Sequence, residues 1–236
     1  MTIGAPTENG RNWDDQAHNW IRWARKPGLD SYWRYRPELF ELVPPPGTAT
    51  LDTGCGEGRL ARDLAERGHQ VTGIDASPTL VGSARAAHPE GDYRVADAAS
   101  LPFGDGSFDL VIAYNSLMDI DDMPGAVREA ARVLMPGGRY LISILHPANT
   151  GKATGQGDDF AFVVDRSYFE TSLTQEHAER DGVSMVFTSY RRSLSTYARA
   201  LEEAGFVIET MREPTSGSAR NVLPWHLWLR AVLAGR

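Results

Sequence analysis

Residues 49–60 read Ala49-Thr50-Leu51-Asp52-Thr53-Gly54-Cys55-Gly56-Glu57-Gly58-Arg59-Leu60. Ala49 to Thr53 is a short run suited to a buried strand, Glu57 to Arg67 carries the spacing of an amphipathic helix, and the glycines between them form the joining turn. In a doubly wound sheet, that strand-to-helix turn lies where the ligand crevice opens. Glycines there allow a ligand to touch the backbone. A dinucleotide fingerprint would place its third glycine five residues after the first, at the position held by Arg59. No Gly-Lys-Ser/Thr run supplies a phosphate loop anywhere in the chain.

Outward from this turn, the chain from Thr50 to about Ile144 alternates short apolar runs with amphipathic segments, the rhythm of βαβ units. Strands are expected at Gln70–Ile74, Tyr93–Ala96, Phe108–Ala113 and Arg139–Leu145. Helices are expected at Pro78–Ala87, capped by Ser77, and at Pro124–Leu134, stopped by Met135-Pro136-Gly137-Gly138. Asp75 and Asp97 end the second and third strands. A carboxylate at the first of these places can accept both hydroxyls of a ribose, and one at the second an exocyclic amine. Read singly, Asp75 is a helix cap and Asp97 a turn residue; in register with the glycine turn, they describe a nucleoside pocket. Asp52 and Glu57 put negative charge beside the turn, which repels a pyrophosphate and suits a ligand bearing an amino group and a sulfonium.

The chain has 236 residues, 42% of them hydrophobic and 23% charged, enough for one substantial core. One domain is expected, divided into a helical leader (1–46), a cofactor-binding core (47–145), a substrate-cap insertion (146–192) and a C-terminal part of the sheet (193–236). In the leader, Trp13–Arg25 and Ser31–Leu42 read as helices. Four of the six tryptophans lie there, so the leader must bury aromatics against something. In the last part, Ser193–Ala204 reads as a helix ended by Gly205, followed by strands at Phe206–Met211 and Trp225–Leu233. A net charge of −7 opposes a nucleic-acid partner. No run approaches a membrane span and the start lacks a secretory signal, so a cytoplasmic protein with no membrane partner is expected. Cys55 is the single cysteine, which excludes multi-cysteine metal sites within the chain.

In its motifs the sequence resembles the small class I S-adenosylmethionine-dependent methyltransferases. The resemblance runs from about Tyr32 to the C-terminus and rests on Leu51–Leu60, Gly73-Ile-Asp-Ala-Ser77, Ala96-Asp-Ala98, Leu101-Pro-Phe103 with Ser107-Phe-Asp-Leu-Val111, and Arg132-Val-Leu-Met-Pro-Gly-Gly138. It implies an α/β fold: a doubly wound, mostly parallel seven-stranded sheet whose last strand runs antiparallel, with a helical lid and an insertion after strand five. It implies S-adenosyl-L-methionine as cofactor, S-adenosyl-L-homocysteine as product, and a site made by Tyr32, Asp52, Gly54, Cys55, Gly56, Asp75, Ala76, Asp97, Ala98 and Asn115. Leu117 or Met118 would pack near the adenine or methionine portion. Thr53 departs from the usual aliphatic residue after the motif aspartate.

The acceptor would bind beyond the carboxyl ends of the strands, covered by the leader and the insertion. Trp20, Trp33, Tyr168 and Arg191 are the expected contacts, and Phe160, Phe162 and Phe169 are further aromatics of the insertion. His146, ending the fifth strand ahead of Pro147, is the expected general base; its alternative is to shape the turn into the insertion. Arg191-Arg192 is expected to order the helix start at Ser193, the alternative being that one of the two pairs with an acceptor carboxylate. Asp121 or Asp122 is expected to cap the helix after the fourth strand, and no metal site is expected from Asp119, Asp121 and Asp122. His69 and His177 are placed in surface turns. The expected function is methyl transfer to an O, N or C atom of a small metabolite, in specialised metabolism, by a monomer or homodimer. The alternative is a non-methylating S-adenosylmethionine binder or cyclase on the same fold.

Overall fold

A computed structural model describes residues 7–149, 152–154, 161–164, 167–215 and 224–235. The leader forms α1 (Glu8–Arg25) and α2 (Tyr32–Phe40). The core follows as β1 (Thr50–Thr53), α3 (Arg59–Ala65), β2 (Val71–Asp75), α4 (Pro78–Ala87), β3 (Asp92–Val95), β4 (Phe108–Tyr114), α5 (Met123–Val133) and β5 (Leu134–Leu145). The insertion holds two hairpins, β6 (Lys152–Thr154) with β7 (Ala161–Val163) and β8 (Ser172–Arg180) with β9 (Val183–Arg191). The chain then adds α6 (Leu194–Glu203), β10 (Phe206–Arg212) and β11 (His226–Leu233).

Seven strands make one sheet in the order β10-β11-β5-β4-β1-β2-β3. Only β11 runs against its neighbours, pairing antiparallel with both β10 and β5. The period-two alternation of β4 divides the core. Val111 and Ala113 face α5 and α6, while Leu110, Ile112 and Tyr114 face α2 and α3. A third apolar group joins Val183 and Met185 of the second hairpin to Trp23 of the leader, with Trp13 and Trp20 against it.

Local chemistry sets the element ends. Thr7 caps α1 by accepting the Gly10 N–H at 3.1 Å, so this helix begins five residues before Trp13. Ser77 caps α4, accepting from Leu80 N–H at 3.1 Å with Pro78 in the first turn. Asp122 caps α5 through Gly125 N–H at 2.9 Å, and Ser193 caps α6. The first core helix starts at Arg59 rather than Glu57, because Gly58 sits in the left-handed region at φ +82°. Met135-Pro136-Gly137-Gly138, expected to stop the helix, follows the end of α5 at Val133 and lies inside β5, which begins earlier than expected; its residues fall at a register shift between the pairs Phe108–Leu134 and Leu110–Arg139.

Candidate active site

The glycine turn, the ends of β2 and β3, the segment after β4, the leader and the second hairpin enclose one cavity of about 1410 Å³ at the carboxyl edge of the sheet. Gly54 and Gly56 take positive φ values of +71° and +57°. A Cβ on Gly54 would collide with the Cβ of Ser116, and one on Gly56 would come within 3.1 Å of the Trp20 indole nitrogen. The turn is therefore bare backbone because nothing larger fits.

Asp75 ties this turn to β2. Its Oδ2 accepts the Gly56 N–H at 2.9 Å and its Oδ1 the Ser77 N–H at 2.9 Å. Burial raises its pKa against the pull of those two backbone donors. Asp97 accepts the Ala99 N–H at 2.9 Å. Ala76, Asp97 and Ala98 line the cavity beside it. Asn115 ends β4 with φ +50°, a left-handed conformation that asparagine tolerates, and its Oδ1 accepts the Ser143 hydroxyl at 2.6 Å.

Asp52 is 1% exposed, lines the cavity, and has an Oδ2 without a hydrogen-bond partner. Burial, with Asp75 nearby and Arg59 opposing, pushes its pKa up to about 7. A buried carboxyl oxygen with no donor is costly unless a ligand supplies one. Cys55 lines the same wall, and burial pushes its thiol well up.

The leader roofs the cavity from one side, and Arg59 fixes it there. The guanidinium bonds Asp30 at 2.9 Å and the Ala24 carbonyl at 3.3 Å, and lies over the rings of Trp20 and Tyr32. Trp20 and Trp33 line the cavity, but Tyr32 does not. Tyr32 is wholly buried on the inner face of α2 with Tyr35 and Leu39, and its hydroxyl donates to Asp63. The expected contact with cofactor through Tyr32 is thus corrected: helical phase turns it into the core. Tyr168 is corrected likewise, since its hydroxyl accepts the Leu194 N–H at 2.8 Å at the start of α6, outside the cavity. Phe169 is 80% exposed, Phe160 lies outside the described residues, and Arg191 lines the cavity.

His146 lines the cavity, but both ring nitrogens are engaged. Nδ1 accepts the Ala148 N–H at 3.1 Å, which leaves the proton on Nε2 to donate to Glu213 at 2.8 Å. With no ring lone pair left for an acceptor proton, the expected general base is corrected to a residue that shapes the turn into the insertion. His69, expected on the surface, is buried against the Thr50 hydroxyl at 3.0 Å, and His177 lies within β8.

Residues of the segment after β4 play three separate parts. Asp122 caps α5, Asp121 accepts the Tyr190 hydroxyl at 2.7 Å and the Asn9 N–H at 3.2 Å, and Asp119 lines the cavity. Arg192 holds this segment from below through the carbonyls of Met118, Ile120 and Asp121. Among the described residues, no three His, Cys, Asp or Glu side chains are grouped to hold a metal ion. Two further cavity residues carried no signal in the sequence: His226, whose Nε2 lies 3.0 Å from the Ser31 hydroxyl and whose pKa burial lowers to about 4, and Tyr114 beside it.

A sheet in this strand order, with a glycine turn after β1 and carboxylates ending β2 and β3, defines the class I S-adenosylmethionine-dependent methyltransferases. Residues 51–142 match the family model described as a methyltransferase domain. A demethylmenaquinone methyltransferase from Beutenbergia cavernae is 35% identical over 116 residues, 49% of this chain and 48% of that protein. The chain thus spans about half the length of such curated relatives. The structure of an S-adenosylmethionine-dependent methyltransferase from Mesorhizobium loti superposes with a TM-score of 0.70 at 27% identity, covering 86% of this chain and 98% of that one. The [4+2]-cyclase SpnF shares the fold, with a TM-score of 0.67 at 21% identity over the full length of both chains. Among the described residues, no helix is long and apolar enough to cross a membrane.

Proposed function

We propose that the protein transfers a methyl group from S-adenosyl-L-methionine to a small-molecule acceptor. The observation that carries this reading is a single cavity of about 1410 Å³ running from the acidic strand ends to an aromatic wall. Pockets for one small ligand commonly measure roughly 300–1,000 Å³, so this one has room for a cofactor and an acceptor side by side. The residues present fit the cofactor: the bare backbone of Gly54, Cys55 and Gly56 is open to the methionine portion, and the unpaired Asp52 Oδ2 needs a donor such as its amino group. Asp75 receives the ribose hydroxyls beside Ala76, Asp97 and Ala98 frame the adenine, and Asn115 closes the site.

When bound, S-adenosylmethionine supplies an electrophilic methyl on a sulfonium. The chain's part is then to orient the acceptor and exclude water. Trp20, Trp33 and Arg191 form the acceptor side, and α1 with β9 covers the cavity from above. His146 fixes the edge of that cover through Ala148 and Glu213.

Calorimetry with S-adenosylmethionine, S-adenosylhomocysteine and NAD tests the reading. Binding of both sulfur nucleosides at around micromolar Kd with none of NAD is the expected result; no binding of either nucleoside refutes it. A non-methylating binder or cyclase would instead convert its substrate without accumulating S-adenosylhomocysteine.

A further inference from the structure

Asp119 is a cavity carboxyl to which the reading above gives no task. It ends the short 3-10 turn Leu117–Asp119, directly after the Asn115-Ser116 pair that packs against the glycine turn. Its backbone is fixed on both sides: its N–H donates to the Ser116 carbonyl at 2.8 Å, and its carbonyl accepts the Asn9 amide at 2.6 Å. Its Oδ1 is buried and has no hydrogen-bond partner among the described residues. The adjacent Asp121 and Asp122, by contrast, are committed to Tyr190 with Asn9 and to the α5 cap.

Aromatic side chains line the same cavity as this carboxyl. Alternation along β9 puts Met185, Phe187 and Ser189 on one face, and Phe187 meets Trp13, Trp20 and Trp23 of α1 edge-on at 5.6–6.4 Å. Asn9 reaches both Asp119 and the Thr188 carbonyl, so Trp13, one turn along α1, belongs to the same corner. The groups acting on the carboxyl are the Ser189 hydroxyl from β9, the Arg192 guanidinium and Asp75 from β2. Arg192 is committed to three backbone carbonyls and Asp75 to two backbone N–H groups. An unsatisfied carboxyl oxygen in a cavity that indole and phenyl rings also line has the chemistry that receives an ammonium group.

Building on the proposed methyl transfer, we propose that Asp119 contacts the acceptor and that the acceptor is an amine, whose ammonium group donates to Asp119 Oδ1. One proton passes from nitrogen to that oxygen, so an ammonium and a carboxylate become a neutral amine and a carboxylic acid, and the nitrogen lone pair is freed. Burial, opposed by Ser189 and Arg192 and aided by Asp75, pushes the Asp119 pKa up to about 8, so the carboxylate that receives the ammonium is populated as pH rises toward that value and, once formed, takes a proton readily.

Phenethylamine and 2-phenylethanol, which are similar in shape and differ in charge, are titrated into the S-adenosylhomocysteine complex of the wild type, Asp119→Asn and Asp119→Ala. Wild type is expected to bind the amine at least about tenfold more tightly than the alcohol, and both variants to lose that preference, with nucleoside affinity held within about threefold. Equal binding of the two probes, no binding of the amine, or a preference that survives in both variants overturns the role of Asp119. Failure of the wild type to bind S-adenosylhomocysteine overturns the proposed function instead. The variants remove a buried ionisable group, so their melting temperatures at pH 7 are expected to match or exceed wild type; using two variants separates a folding defect in one from the loss of recognition.

Discussion

Replacing Asp52 by Asn is expected to move stability and cofactor affinity in opposite directions. Asp52 is buried with an unpartnered oxygen, and its pKa rises from 3.8 to about 7 on folding. A raised carboxyl pKa means that the folded state holds a proton the unfolded chain has released. The associated stability is present below pH ~4 and is lost as pH climbs through the window up to about 7. At about 1.4 kcal/mol per pH unit the upper limit of the loss is roughly 4 kcal/mol, and relaxation around the site reduces this to about 1–3 kcal/mol. Asn carries no such penalty, so above pH 7 the variant without ligand is expected to melt about 2–12 °C higher than wild type, with the gap closing toward pH 4.5. The same change removes a charge-assisted partner for the cofactor's amino group, worth about 1.5–3 kcal/mol, and weakens binding by about tenfold to 150-fold. Thermal unfolding at pH 4.5 and 8, together with calorimetry of S-adenosylhomocysteine, measures both. A lower melting temperature at pH 8, or unchanged affinity, refutes the reasoning.

Asp75→Ala removes both the ribose acceptor and the anchor of the Gly56 turn; S-adenosylhomocysteine binding is expected to weaken at least about 100-fold with the fold retained by circular dichroism, and near-normal affinity would reject this site. Tyr32→Phe leaves Asp63 short of a donor and is expected to cost about 1–2 kcal/mol in denaturant unfolding with nucleoside affinity unchanged; a tenfold loss of affinity would return Tyr32 to the cofactor site. His146→Ala is expected to lower the melting temperature slightly and to leave the pH dependence of turnover intact, whereas disappearance of a titration near neutral pH would restore it as a base.

The sheet was legible because its signals are local. The glycine turn, the carboxylates at strand ends, and caps such as Ser77-Pro78 and Asp122 depend on a few neighbouring residues, and the structure places each where its own chemistry requires. The leader was harder to read, because aromatics on several faces of α2 hide the helical phase that turns Tyr32 inward and Trp33 toward the cavity. The three aspartates after β4 look alike in sequence; partners on α1 and β9, far along the chain, separate a cap, an anchor and a carboxyl with one unpartnered oxygen. His146 occupies the strand end that a base would need, and only Ala148 and Glu213 reveal that its nitrogens are engaged. Arg59 entered the sequence reading only as a residue that spoils a dinucleotide motif, yet it clamps the leader to α3.

The bonds from Asn9 to Asp119 and Thr188 carry a consequence for how the molecule is made. Helix α1 leaves the ribosome before the elements it packs against, and the residues of β9 that complete its seat are synthesised last among those partners. At about 5–20 residues per second, its tryptophans wait on the order of 10–40 s for β9 to emerge. During that interval, Trp13, Trp20 and Trp23 lack the Phe187 surface that covers them in the finished protein. The roof of the cavity therefore assembles late, and a nascent chain stalled before Phe187 exposes an aromatic helix of the kind that chaperones retain.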